Sequence, residues 1–294
     1  MIQPTLPLLH APAYVNWHFT YRCNLNCAHC YSRNRLTANE LCVEDKLRVA
    51  ENILQNRVFY VNLGGGEPLL DSACVKTIRF LSSGGIFVSV GSSGCQLDEN
   101  LLYELKRAGI GYINLSLDFP SAERHDAQRR TSGCFADAMR TLKLCHKLVI
   151  PVYISTVITR QNFQELEDIF KLASHYGCLG VDLKRLRIMG NAKNLNSLLL
   201  TRDEENSLLT SFEHWRRTYP LQLNMSYNFR PTLGVDNGCL CAKQLLTILA
   251  DGTVSACLFK PVSLGNAVND DLGVIWRESK LLKQLRNSDD CFGL

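Results

Sequence analysis

The sequence predicts an α/β fold: a partial (β/α)6 barrel followed by a small C-terminal β-hairpin plus helix extension. Two observations carry this. From Tyr14 to about Leu186, short apolar runs alternate with longer stretches of helical periodicity. That order gives a parallel sheet with right-handed crossovers. Further on, two apolar runs flank Asp251-Gly252, which reads as a hairpin. The chain has 294 residues and is 46% hydrophobic, enough for a full core and an appendage. We therefore expect a barrel over residues 1–220 and an extension over 221–294.

The expected strands are Tyr14–Phe19, Val58–Leu63, Ile86–Val90, Tyr112–Leu117, Val152–Ile158 and Val181–Leu186. Between them, Glu44–Gln55 places Leu47, Ala50 and Leu54 on one face, and Asn100–Ala108 groups Leu101, Leu105 and Ala108. Cys134–Leu148 and Gln164–Tyr176 repeat the helical pattern. A helix over Arg202–Tyr219 is stopped by Pro220. In the extension, Leu245–Ala250 and Thr253–Leu258 form the hairpin, and Leu272–Arg286 reads as one closing helix. In open parallel sheets, ligands bind beyond the carboxyl ends of the strands, so polar and glycine-rich signals should follow the strands.

The net charge is +4, with both signs spread along the chain. This is too mild to argue for nucleic acid. The short basic groups Arg129-Arg130 and Lys184-Arg185 read as solvated surface. No apolar run is long enough to span a membrane, and the N-terminus lacks the charged region of a signal peptide. We expect a cytoplasmic location.

Thirteen cysteines cluster toward the two ends of the chain. Cys23, Cys27 and Cys30 form one group; Cys239, Cys241, Cys257 and Cys291 form another. In a chain of this size without an export signal, metal or cluster ligation fits better than a disulfide framework. Cys42, Cys74, Cys95, Cys134, Cys145 and Cys178 read as ordinary buried thiols.

Cys23-Asn-Leu-Asn-Cys27-Ala-His-Cys30-Tyr31 directly follows the first strand. Three thiolates on one loop can hold three irons of a [4Fe–4S] cluster, leaving the fourth open to a further ligand. The second strand ends in Gly64-Gly65-Gly66-Glu67-Pro68. Its glycines allow close backbone approach, and its carboxylate can pair with a bound ammonium.

The Cys-x-x-x-Cys-x-x-Cys loop after strand one resembles the signature of the radical S-adenosylmethionine (radical SAM) superfamily. The resemblance implies a catalytic [4Fe–4S] cluster on Cys23, Cys27 and Cys30, whose open iron chelates S-adenosylmethionine (SAM). It also implies reductive cleavage of SAM to a 5′-deoxyadenosyl radical that abstracts hydrogen from a substrate. Gly65, Gly66 and Glu67 would hold the methionine amino group. Gly91-Ser92-Ser93-Gly94 is similar to a Thr-Asn-Gly-like loop of the family, from which it departs at the first two residues. Leu115-Ser116-Leu117-Asp118 resembles its Ser-x-Asp strand end. Ser92, Ser116 and Asp118 would then meet the ribose or the methionine carboxylate. Arg129 would clamp that carboxylate, and His29 would pack on adenine. Thr159-Arg160-Gln161-Asn162 and Arg187-Ile-Met-Gly190-Asn-Ala192 are similar to the family's loops after strands five and six. The match runs from about Val15 to Ala192.

The second cysteine group, with the hairpin, Leu264-Gly265-Asn266 and Ile275-Trp276, resembles the auxiliary-cluster region of SPASM and twitch relatives. Four cysteines suffice for one [4Fe–4S] cluster. The resemblance implies a shortened, twitch-like extension with a second, auxiliary [4Fe–4S] cluster on Cys239, Cys241, Cys257 and Cys291. A structural zinc on the same thiols is the alternative, and a zinc-bearing scaffold without catalysis is the corresponding non-enzyme reading.

SPASM and twitch relatives mostly modify ribosomally made peptides, so the resemblance implies a precursor peptide substrate and an external electron donor. About fifteen residues precede the first strand, too few for a recognition domain. We therefore expect a separate leader-peptide-recognition protein. Similar small maturases include spliceases, which excise a tyramine unit from a precursor backbone. The competing expectation is a radical SAM enzyme acting on a small molecule in cofactor or antibiotic biosynthesis.

Overall fold

Most barrel strands are apolar on one face and more polar on the other, and this alternation organises the molecule. In β1 (Tyr14–Thr20), Val15, Trp17 and Phe19 are buried outward beneath helices, while Asn16 and His18 alternate with them. The same two-residue period recurs in β2 (Tyr60–Gly65), where Val61 and Leu63 alternate with Asn62 and Gly64. The computed structural model describes residues 9–33, 39–225 and 239–287.

The chain then alternates as the sequence predicts. α1 (Val43–Gln55) precedes β2; α2 (Cys74–Ser83), β3 (Phe87–Ser92), α3 (Glu99–Arg107) and β4 (Tyr112–Ser116) follow it. α4 (Ala122–Arg129) and α5 (Cys134–Leu148) lead to β5 (Val152–Ile158), α6 (Leu166–His175) and β6 (Gly180–Arg185). α1 carries Glu44 and Asp45 in its first turn, which complements the helix dipole. It buries Val49, Ala50 and Ile53; burying Ile53 alone stabilises by about 2 kcal/mol.

Three elements depart from expectation. α2 buries Cys74, Thr77, Ile78 and Leu81, a stripe blurred by β-branched and thiol side chains. α4 buries His125, Gln128 and Arg129, so it shows no apolar stripe at all. The single closing helix is instead α8 (Leu272–Glu278) and α9 (Lys280–Arg286). Ser279 breaks them with ψ 120°, and its hydroxyl accepts from the Leu282 N–H.

After α7 (Arg202–Thr218), opened by a Thr201/Glu204 capping box, β7 (Gln222–Met225) adds a seventh parallel strand beside β6. With four residues and only Leu223 buried, it is too short to show a pattern. The hairpin β8 (Leu245–Ile248) and β9 (Thr253–Ser255) continues the same sheet, with β8 parallel to β1. β10 (Gly265–Asn266) completes the ten-stranded order β10-β9-β8-β1-β2-β3-β4-β5-β6-β7. β10 and β7 are the two edges, so the barrel is partial. Among the described residues, no helix is long and apolar enough to cross a membrane.

Candidate active site

Cys23, Cys27 and Cys30 lie on the loop that leaves β1, and all three line one cavity of about 260 Å³ at the carboxyl ends of the strands. Neighbouring loops hold this loop from several sides. Glu40 accepts from the Thr20 hydroxyl at 2.7 Å and the Tyr21 N–H at 2.6 Å. The Gly66 and Glu67 N–H groups donate to Thr20 and Arg22 carbonyls at 2.7 and 2.8 Å. A Cβ at Gly65 would lie 2.3 Å from the Thr20 oxygen, and one at Gly66 would lie 2.1 Å from the Arg22 oxygen. The close approach that requires these glycines is thus made to the cysteine loop itself. Both glycines also face the cavity.

The loop after β6 closes on the same segment. The Asn191 N–H donates to the Cys30 carbonyl, and its amide nitrogen donates to the Cys27 carbonyl, both at 2.9 Å. Gly190 has φ +57°, and a Cβ there would meet the Cys30 oxygen at 2.5 Å. Asn191 lies in the segment that resembles the family's loop after strand six, but nothing in the sequence assigns it a role; the structure shows it holding the cysteine loop.

Glu67 is 1% exposed and borders the cavity. Its Oε2 accepts from the Ser93 N–H at 2.8 Å and the Ser93 hydroxyl at 3.0 Å, while Oε1 has no partner. Burial raises its pKa. A buried carboxylate with one orphaned oxygen costs free energy, and a ligand ammonium would offset that cost. Ser92 is buried at the cavity wall, and its Oγ accepts from the Gly94 N–H at 3.0 Å, shaping the turn that presents Ser93. Ser116 lines the same cavity.

Several expectations change. Asp118 is fully buried and stands behind the cavity wall. It bonds Arg129 Nη2 at 2.6 Å and the Val157 N–H at 2.9 Å. Burial opposes its ionisation, but the charges of Arg129 and its neighbours lower its pKa overall. Its carboxylate is consumed in holding other residues rather than in reaching a ligand. Arg129 is 6% exposed, not solvated surface. Its guanidinium is committed to Asp118 and, at 3.8 Å, to Cys27 Sγ. It reaches the cavity as part of the wall, with Nε buried and unpartnered among the described residues. Lys184 and Arg185 also border the cavity, although the sequence suggested only surface.

His29 is buried at the cavity with Nδ1 unpartnered, and Nε2 lies 3.6 Å from Asp118. Burial depresses its pKa to about 4, so it is neutral at pH 7. Asp126 accepts from the Gly133 and Phe135 N–H groups at 2.6 and 2.7 Å, fixing the start of α5. Asn162 donates to the Asp118 and Val157 carbonyls at 2.8 and 2.9 Å, so it braces the wall and does not contact the cavity.

Burial pushes the Cys23 thiol up to about 11 and raises Cys27 as well. These two desolvated thiols are costly as thiolates unless a cationic centre binds them. A single tetrahedral ion would draw sulfurs to about 3.8 Å apart. Among the described residues, no three His, Cys, Asp or Glu side chains converge closely enough for one ion. A cluster that offers each thiolate its own iron fits this looser set. The open thiols and the orphaned Glu67 oxygen together fit a cluster that carries an amino-acid ligand.

In the extension, Cys241 stands in hydrogen-bond contact with Cys239 and Cys257, which raises its thiol. Contact with Cys241 and the Lys260 and Phe259 N–H groups lowers the Cys257 thiol. Cys291 lies outside the described residues. Of the thiols expected to be ordinary and buried, Cys42 is exposed, because it stands just before α1. Cys95 and Cys134 are buried, but they pack with Leu25 and Cys27 against the loop.

Comparison with known proteins agrees with this geometry. The radical SAM superfamily matches residues 17–173, and the SPASM iron–sulfur cluster-binding domain matches residues 239–292. AdoMet-dependent heme synthase of Oleidesulfovibrio alaskensis is 24% identical over 302 residues, spanning 95% of this chain and 78% of its own length. Mycofactocin maturase MftC of Mycolicibacterium smegmatis is 28% identical over 293 residues, spanning 95% and 73%. Streptococcus suis SuiB bound to precursor peptide SuiA shares the fold with a TM-score of 0.83 at 14% identity, over 96% of this chain and 68% of that one.

Proposed function

The chain belongs to the radical SAM superfamily, and from that membership we propose that it modifies a ribosomally made peptide by hydrogen-atom abstraction. It is a radical SAM enzyme whose cofactors are a catalytic [4Fe–4S] cluster and SAM, with auxiliary iron–sulfur in the SPASM region. The observation that carries the site assignment is the orphaned Oε1 of buried Glu67 in the cavity lined by Cys23, Cys27 and Cys30.

In this reading, Cys23, Cys27 and Cys30 hold the catalytic cluster, and Glu67 takes the amino group of SAM. When bound, the pair supplies one-electron cleavage of the sulfonium and hydrogen-atom abstraction. The protein's own part is to hold the loop rigid through Glu40, Asn191 and Arg129, to exclude water, and to place the substrate carbon within van der Waals reach. Gly65, Gly66, Ser92, Ser116 and His29 complete the wall around the ligand. Cys239, Cys241 and Cys257, joined by Cys291, hold an auxiliary cluster.

The peptide reading is supported by the names of two relatives: a mycofactocin maturase covering 95% of this chain, and a fold neighbour bound to its precursor peptide. Its finer form is splicing with loss of tyramine, with an external electron donor and a separate protein that binds the precursor's leader. Such a partner raises the effective concentration of the peptide at the cavity. The heme synthase relative favours a second reading, a small-molecule substrate.

The test combines anaerobically reconstituted enzyme, reductant, SAM and a peptide encoded by a neighbouring gene, with and without a small leader-binding protein. We expect a SAM-dependent change in peptide mass that is accelerated by the partner. Full-rate modification by the chain alone would sink the partner. Turnover of a free small molecule with no peptide modified would sink the peptide reading.

A further inference from the structure

The cavity is also lined by residues not assigned to the cofactor. Asn62 on β2, Asn114 on β4, Ser155 on β5 and Lys184 on β6 all line it. Each alternates with an outward core residue, such as Leu63, Leu115, Ile154 and Leu183. Packed parallel barrels fill this space with branched apolar side chains. A lumen lined by amides, a hydroxyl and an ammonium is instead built to receive a polar group.

Three details say which group. Asn62 Oδ1 accepts from the Ser89 hydroxyl at 3.0 Å, and that hydroxyl is bonded to the Tyr60 hydroxyl at 2.7 Å. Asn62 is thereby pinned, with its N–H groups left for the cavity. Asn114 is 8% exposed, and its Oδ1 is buried without a partner. That oxygen is an acceptor awaiting a donor. Lys184 makes no hydrogen bond or ion pair among the described residues, whereas Arg185 pairs with Glu205 at 2.8 Å and Arg187 lies 4.1 Å over the Phe259 ring. The lumen carboxylate on β6, Asp182, accepts from Asn224 at 2.9 Å. Glu67 is assigned to an ammonium. Lys184 is exposed at the cavity and has no anionic partner among the described residues, so its ammonium can take an anion from a ligand.

We propose that this wall of the cavity is the substrate subsite, in which Lys184 takes a carboxylate and Asn114 accepts an amide N–H from an acidic peptide segment. The inference rests on the peptide reading above and adds the chemistry of the segment: an Asp or Glu side chain, or a free C-terminus, next to a peptide N–H.

The test uses reconstituted, SAM-bound enzyme immobilised under anaerobic conditions and a displayed library of random ten-residue peptides. Enriched sequences are resynthesised as free acids, as C-terminal amides, and with Asp or Glu replaced by Asn or Gln. The carboxylate form should bind about tenfold more tightly than its neutral counterpart, the size expected of one charge-assisted bond at a partly solvated rim. Whether the side-chain or the C-terminal replacement removes that factor identifies the source of the carboxylate. Lys184→Met should abolish the preference, and Lys184→Arg should keep most of it. Asn114→Leu should weaken acid and neutral forms alike. If Lys184→Met preserves the preference, or lowers SAM affinity in equilibrium dialysis instead, the subsite is overturned while the peptide reading stands. If no peptide is enriched, the subsite is overturned, and the peptide reading is decided by the mass assay with the leader-binding protein.

Discussion

Arg129 Nη2 lies 2.6 Å from Asp118 Oδ2 in a pair whose side chains are 8% and 0% exposed, and Nη1 of the same guanidinium reaches Cys27 Sγ at 3.8 Å. One buried ion pair therefore ties the ends of β4 and α4 to the cysteine loop. Removing one partner leaves the other charge buried and uncompensated, whereas removing both does not.

It follows that Asp118→Ala should destabilise the cluster-free protein by about 3 kcal/mol or more, and Asp118→Ala/Arg129→Met by less. Chemical denaturation of the apo-protein measures both. Additive losses would mean that the two residues are not coupled.

Glu67 should trade stability for binding. Its pKa is raised by burial, so the folded state holds its proton more tightly than the unfolded chain. A raised pKa contributes stability below the unfolded value, near 4.5, and loses it as pH rises through the folded value. Glu67→Gln should therefore melt higher than wild type in apo form, by a margin that widens as pH rises from about 4.5. The same variant should bind SAM about ten- to a hundredfold more weakly. Equal melting at pH 7 would show that the carboxylate is not strained.

Gly190→Ala tests whether the loop after β6 holds the cysteine loop. The substitution puts a Cβ at φ +57° and 2.5 Å from the Cys30 oxygen. It should cost about 1–3 kcal/mol and lower iron uptake although no ligand is removed. Full iron content would mean that the two loops move independently.

Reconstituted protein should carry about eight irons, and replacing Cys23, Cys27 and Cys30 together should leave about four and abolish 5′-deoxyadenosine formation. Replacing Cys239, Cys241 and Cys257 should remove the other four or so. Metal analysis decides it: zinc in the first triple variant would overturn the auxiliary-cluster assignment.

Much of this was legible along the chain because it is local. Cys23, Cys27 and Cys30 share one loop, and Gly64–Pro68 follows one strand, so spacing and order sufficed to place them. The barrel strands showed because apolar period and turn residues are short-range signals, and only boundaries shifted by a residue or two. The hairpin around Asp251-Gly252 was visible for the same reason. α4 was not, because its buried face is His125, Gln128 and Arg129, which only a polar neighbour makes affordable.

What the tertiary structure alone decided are the relations between distant segments. Asp118 and Arg129 looked like ligand contacts in sequence, but three-dimensional packing turns them on each other and on Cys27. Asn191 bonds Cys27 and Cys30 across 164 and 161 positions of chain (191 − 27 and 191 − 30), a contact without a local pattern. β7 and β8 join opposite sides of one sheet through pairings with β6 and β1. Lys184 read as surface because a lysine beside an arginine usually is. It is exposed, and it also borders the cavity, because strand alternation points every second side chain of β6 to that side. A sequence can specify which residues carry chemistry; which of their charges are already spent on one another depends on the packing that brings them together.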